Sequence, residues 1–187
     1  ASTIEVEALA GTRPRSTSPS DDDRLAQELQ SSAKDLNEHR FVVRFISETL
    51  NELCTSIECS KEPEVVRFRR VQHLQTLFRG QLRPDVDDDL ILARLHPTPA
   101  VAGYPAETSR HLIRSLESFD RGWYAGPVGS ISATGAEFAV GIRSALVDDR
   151  KVHHYAGCGI VEGSDPAREW DEIETKISGF MELFSGQ

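Results

Sequence analysis

Carboxylates and a lysine gather on one short stretch, 165-DPAREWDEIETK-176. Asp165 followed by Pro166 marks a helix start, because aspartate accepts from the free first-turn amides and proline is preset for the first turn. On that helix, predicted to run to about Phe184, Glu169, Glu172 and Lys176 fall at i, i+3 and i+7 and share one face. Ile173, Ile177, Phe180 and Phe184 form its predicted buried stripe. Two carboxylates one turn apart suit a hard divalent cation such as Mg2+. Lys176, one turn further, suits a substrate anion. The same residues also read as a solvated helix with Glu172–Lys176 as an i,i+4 ion pair, the commoner case for this spacing. Upstream, Gly157 and Gly159 in 156-AGCGIVEGS-164 let backbone amides approach a ligand, although a lone GxG is a weak signal.

A second acidic pair lies in 34-KDLNEHRFVV-43, where Asp35 and Glu38 are again at i, i+3. They share a face with Val42 and Phe45, so carboxylates on that side need a cation or hydrogen bonds. Two helices, each with such a pair, could grip one metal ion between them; the ordinary alternative is a surface pair. In 136-AEFAVGIRSALV-147, Phe138, Val140, Ile142 and Leu146 alternate against Ala139, Gly141, Arg143 and Ala145. Small residues around one arginine leave room for a bound anion, and a surface arginine on a half-exposed sheet fits the alternation equally well.

The elements that must position these residues are of mixed type. Residues 4–9 read as a strand, and 10–23 as a Gly/Pro/Ser/Asp loop. A long helix is predicted over about 22–54, with a weak middle at 31–37 that can break it. Residues 60–64 read as a loop and 65–74 as a strand. A helix follows at 107–119, then strands at 123–133 and 136–147, a turn at 148–151 and a last strand at 152–155. The length, 187 residues, suits one domain with a buried core. A net charge of −9, with 67-RFRR-70 as the densest basic run, argues against nucleic acid as a partner. No apolar run approaches the roughly 20 residues of a membrane helix, and 1-ASTIEVEALAG-11 lacks the pattern of a signal peptide. Cys54, Cys59 and Cys158 fit no metal template and read as reduced thiols, pointing to the cytoplasm, with plastid stroma open.

Taken in order, 7-EALAGTRPR-15, 34-KDLNEH-39, 71-VQHL-74, 95-LHPTPAVAGYP-105, 119-FDRGWYAG-126, 142-IRSA-145, 156-AGCGIVEGSDP-166 and 169-EWDEIETK-176 resemble the chorismate-utilising enzymes. Within them 95-LHPTPAVAG-103 resembles the isochorismate synthases, and 119-FDRGWYAGPVG-129 and 156-AGCGIVEGSDP-166 resemble those of the menaquinone and phylloquinone pathways more than the siderophore ones. The resemblance implies an α+β fold of stacked antiparallel sheets with outer helices. Residues 1–187 would be the C-terminal portion of a single chorismate-binding domain, with the N-terminal part of the fold absent from this chain. It implies Mg2+ held by Glu38 and Glu172, with Asp35 and Glu169 close by. Arg143 and Tyr124 would receive the enolpyruvyl carboxylate of chorismate, helped by the Gly157 amide, and Lys176 would pair with the ring carboxylate. Thr12 would line the ring pocket, His73 would sit beside the reacting carbons as the catalytic candidate, and Ala100 would leave room for water. The other histidines are assigned nothing.

The implied reaction adds water at C2 of chorismate while the C4 hydroxyl leaves, giving isochorismate. The family's general base and acid, a lysine and a glutamate, lie upstream of the AGT motif, which begins here at Ala10. The chain alone is therefore expected to be inactive, and the missing N-terminal segment or a second chain is an expected partner. The alternatives are a non-catalytic binding or scaffold subunit of the same fold, or a salicylate or anthranilate synthase.

Overall fold

The computed structural model describes residues 2–181. The chain divides into two compact units, Ala1–Arg110 and His111–Gln187.

The first unit is organised by β4 (Val71–Leu82), with β1 (Thr3–Pro14) along one edge. On its other edge β4 pairs with β2 (Cys54–Cys59) and β3 (Glu64–Arg67), and every pairing is antiparallel. Along β4, Gln72, Leu74, Thr76 and Phe78 alternate inward and are buried, as period-two geometry requires of a sheet covered on one face. Two helices follow β1: α1 (Pro19–Ser31) and α2 (Ala33–Leu53). They separate at Ser32, inside the weak stretch that the sequence pattern marks. The Ser32 hydroxyl accepts from the Asp35 amide at 3.2 Å, capping α2. Helix α2 lays Val42, Ile46, Leu50 and Leu53 against Ala8, Ala10, Cys54 and Phe78 to make the core. Short helices α3 (Asp88–Leu95) and α4 (Pro99–Ala102) complete this unit, and α5 (Ala106–Leu116) crosses the division between the two.

Two sequence expectations change here. Residues 10–14 continue β1 instead of looping, because a bulge absorbs Gly11: Ala10 faces Leu74 while Thr12 faces His73. Gly11 takes φ +74°, which glycine adopts without steric cost. The expected strand 65–74 is two strands, β3 and β4, turned at Phe68–Arg70, where the Phe68 amide bonds the Val71 carbonyl at 2.8 Å. Strand β2 and helices α3 and α4 have no counterpart among the sequence predictions.

The second unit contains two hairpins, β5 (Pro127–Ser132) with β6 (Gly135–Val140) and β7 (Ser144–Asp148) with β8 (Lys151–Tyr155), and the helix α6 (Pro166–Met181). The expected continuous strand 136–147 is interrupted at Gly141–Arg143, and Arg143 stands there with φ +50°. Its apolar face is only partly covered, with Ile142 and Leu146 exposed. Residues 123–126, expected to be strand, form turns.

Among the described residues no helix is long and apolar enough to cross a membrane. The three cysteines are unpaired with one another, as expected of reduced thiols.

Candidate functional site

In the first unit the bulge brings three predicted residues close together. Thr12 and His73, 61 positions apart, are cross-strand partners, and Thr12 Oγ1 lies 3.0 Å from His73 Nδ1. The Gly11 carbonyl lies 3.0 Å from the same nitrogen. The Phe68 ring meets the imidazole edge-on at 5.7 Å. Asp35 is 3% exposed and packs behind Gly11, where an added Cβ would lie 3.1 Å from the Asp35 Cβ. Its charge is matched by Arg13, whose Nη2 donates to Asp35 Oδ2 at 2.7 Å while Nη1 donates to the Thr12 carbonyl at 2.8 Å. Arg13 therefore clamps the bulge to α2, in the doubly bonded geometry that a partly buried guanidinium holds well. Glu38 is half-buried one turn along α2. Ala100 is exposed on α4.

The second unit gathers the others. The Asp165 carboxylate caps α6, accepting from the Arg168 amide at 3.0 Å. One turn in, Glu169 is 5% exposed, so a carboxylate occupies a position that an amphipathic helix ordinarily gives to an apolar side chain. Ile173 and Ile177 are half-buried; the predicted stripe cannot be followed further, because Phe184 lies outside the described residues, as does the placement of the Phe180 side chain. Lys176 Nζ contacts Glu172 Oε1 at 2.7 Å and donates to the Gly157 carbonyl at 2.8 Å, tying α6 to the glycine turn. A Cβ at position 157 would lie 3.0 Å from the Tyr124 hydroxyl, so the absence of a side chain there leaves that hydroxyl its space.

Tyr124 and Arg143 are brought near one another by backbone. The Ala125 amide bonds the Gly141 carbonyl at 2.9 Å, and the Gly141 amide bonds the Gly126 carbonyl at 2.8 Å. Tyr124 stacks on Tyr155 at 5.4 Å with Arg121 over its ring at 5.8 Å, and Arg121 pairs with Glu117. Burial raises the Tyr124 phenol above its ordinary range, with Arg121 acting in the opposite sense. Burial lowers the Arg143 guanidinium, and Glu172 counters it. A partly desolvated cation of this kind gains most from an incoming anion. The Cys158 thiol is raised by burial first, then by the Glu169 and Glu172 carboxylates, while Lys176 lowers it. Protonated, it adds no negative charge beside two carboxylates.

Tyr124, Arg143, Gly157, Glu169, Glu172 and Lys176 therefore share one neighbourhood in the second unit, and Thr12, His73 and Asp35 share one in the first. Within either unit, among the described residues, no three His, Cys, Asp or Glu side chains form a group that could hold a metal. The oxygen-only donor set and the buried Glu169 carboxylate are nonetheless the chemistry that a hard cation takes. Sequence reasoning left Arg13, Arg121, Tyr155 and Cys158 without roles. Arg13 stands in the AGTRPR motif, but only the strand register shows what it grips.

In the second unit α6 carries Glu169, Glu172 and Lys176, and Glu172 lies near enough to act on the Arg143 guanidinium. The chorismate binding enzyme family matches residues 1–185, and the chain belongs to that family. Over 97% of its length it is 49% identical to the chloroplastic isochorismate synthase of Catharanthus roseus, of which it covers 31%. Over 96% of its length it is 41% identical to the isochorismate synthase MenF of Haemophilus influenzae, of which it covers 42%. Among solved structures it matches a 2,3-dihydroxybenzoate-specific isochorismate synthase, DhbC, from Bacillus anthracis, with a TM-score of 0.92 and 36% identity. That match covers 97% of this chain and 49% of the other. The chain thus spans a third to a half of the length of these relatives, and it shares their mixed helix-and-sheet fold.

Proposed function

We propose that the protein carrying these residues is an isochorismate synthase, converting chorismate to isochorismate by adding water at C2 as the C4 hydroxyl leaves. The observation that carries this reading is the 49% identity to a named isochorismate synthase across 97% of the chain. Arg143 and the Tyr124 hydroxyl receive the enolpyruvyl carboxylate, with the Gly157 amide beside them. Lys176 exchanges part of its contact with Glu172 for the ring carboxylate. Thr12 and His73 line the ring. Glu38 and Glu172 are the residues that would hold Mg2+, with Glu169 close by. Asp35, already bonded to Arg13, takes part through water. When bound, the ion neutralises substrate carboxylate charge and anchors the ring.

The resemblance assigns the acid–base pair to positions upstream of Ala10. Incubating the complete protein with chorismate and Mg2+ and separating the products tests the reading. Isochorismate without pyruvate, lost on chelation and restored by Mg2+, is the expected result. Likeness to anthranilate synthase component I of Streptococcus pneumoniae, at 30% identity and a TM-score of 0.80, keeps a second reading in view. Pyruvate released once ammonia is added would favour it, and no product with or without ammonia would favour a scaffold subunit.

A further inference from the structure

We propose that the Glu117–Arg121 ion pair positions Tyr124, holding a guanidinium over the phenol ring so that the hydroxyl stays beside Gly157 and donates to a substrate carboxylate. Glu117 and Arg121 are positioning residues that act on the ligand through Tyr124. The brace is read from local geometry, while the ligand rests on the chorismate reading above.

Tyr124 stands in a turn. Its amide bonds the Arg121 carbonyl at 2.9 Å, and the Gly126 amide bonds the Trp123 carbonyl at 3.0 Å. The next residue, Ala125, is buried and takes φ +62°, a region that residues with a Cβ avoid. Regular secondary structure does not aim a side chain there, so the direction of the phenol has to come from what touches its ring. Tyr155 stacks on that ring at 5.4 Å, with the planes 23° apart, and is itself backed by Phe119 at 6.2 Å. Tyr155 is the cross-strand partner of Ser144, next to Arg143, and precedes Gly157 by two residues. The stacking contact therefore comes from the segment that carries the rest of the anion site.

Arg121 supplies the other contact, with its guanidinium carbon 5.8 Å from the ring centre. A long, flexible side chain does not hold such a place unaided. Glu117, one turn earlier, fixes it: Arg121 Nε donates to Glu117 Oε2 at 2.8 Å and Nη2 to Oε1 at 2.6 Å. This two-point fork sets the plane of the guanidinium. Glu117 is anchored in turn by its amide, which bonds the Ile113 carbonyl at 2.9 Å on α5. Charge decides what the pair can do. Glu117 neutralises Arg121, so a second carboxylate gains little from approaching the pair itself. A cation over the ring is attracted by its π electrons and, by drawing on them, strengthens the phenol O–H as a donor. That hydroxyl occupies the space left by Gly157, where an added Cβ would lie 3.0 Å away.

The test measures chorismate kinetics of the complete protein with Mg2+ for wild type, Tyr124→Phe, Arg121→Gln and Glu117→Gln, and for each of the last two combined with Tyr124→Phe. Tyr124→Phe is expected to raise KM by about tenfold or more, the scale of one hydrogen bond to a charged group. Arg121→Gln and Glu117→Gln should each raise KM by about fivefold, the scale of one partly desolvated cation–π contact. In both, kcat should stay within about twofold of wild type, as for lost binding of the ground state and transition state alike. In the Tyr124→Phe background the same substitutions should change KM by less than about twofold, because the hydroxyl they position is gone. If Arg121→Gln does not fold, Glu117→Gln, which keeps the guanidinium, carries the comparison. KM increases that multiply in the double variants would show a merely structural pair and overturn the proposal. So would single variants with wild-type KM, or a loss confined to kcat. Tyr124→Phe with wild-type KM overturns the carboxylate role of Tyr124, and a wild type that forms no isochorismate overturns the functional reading; this assignment falls with either.

Discussion

His39 should make the first unit lose stability between about pH 6.5 and pH 4. The side chain is 3% exposed, with Nε2 at 2.9 Å from the Thr76 hydroxyl and no hydrogen-bond partner at Nδ1. Protonation would bury a charge and leave an N–H without an acceptor, so burial lowers the group from 6.5 to about 4. The folded value lies below the unfolded one. Between the two, the unfolded chain binds more protons, so this contribution is complete above about pH 6.5 and is lost as pH falls towards about 4. A gap of that size corresponds to about 3 kcal/mol, a substantial part of a typical domain's stability. Urea unfolding of the complete protein from pH 7.5 to pH 4, followed by circular dichroism, measures it. The reference is His39→Gln, whose amide can still reach Thr76 but does not titrate. Wild type should be the more pH-sensitive, by about 3 kcal/mol over the range. Parallel pH dependences for the two proteins would refute the assignment of a buried, neutral His39.

Gly11→Ala should destabilise by about 1–2 kcal/mol, because alanine is strained at this positive φ and its Cβ would press on Asp35 and Leu29; thermal unfolding reads the cost, and the chorismate KM should rise as the bulge shifts. Phe78→Ala, at a ring 1% exposed in the core, should cost about 3–5 kcal/mol in chemical denaturation. Arg143→Lys should raise the chorismate KM by about tenfold in steady-state kinetics, because an ammonium cannot reproduce the fork that a carboxylate accepts.

Helices were the most legible part of the sequence. The spacing of Val42, Ile46, Leu50 and Leu53 marks the face of α2 that packs in the core, and Asp165–Pro166 marks the start of α6. The acidic cluster on α6 could be read because i, i+3 and i+7 are local relations. Thr12 and His73 could not be paired that way, since their contact depends on a strand register across 61 residues and on a one-residue bulge. Their roles came from resemblance to the family. Gly11 misled because a glycine among Thr, Arg and Pro reads as a loop, although it lets the strand continue. Residues 136–147 misled in the opposite way: unbroken alternation hides a break between Val140 and Ser144, where Arg143 stands at φ +50°.

The register of β1 on β4 also bears on synthesis. Thr3 pairs with Gln81 and Pro14 with Val71, while α1 and α2 lie between the two strands in the chain. Those helices can form as they emerge from the ribosome, but the β1–β4 ladder cannot form until β4 has been made. At about 5–20 residues per second the wait is on the order of several seconds. Throughout it the edge of a strand bearing Ile4, Val6, Ala8 and Ala10 that β4 will take presents amides and carbonyls without that partner. The central position of β4 therefore makes it the timing element of the unit, and the interval before it arrives is when a nascent chain is most open to pairing with a neighbour or to capture by a chaperone.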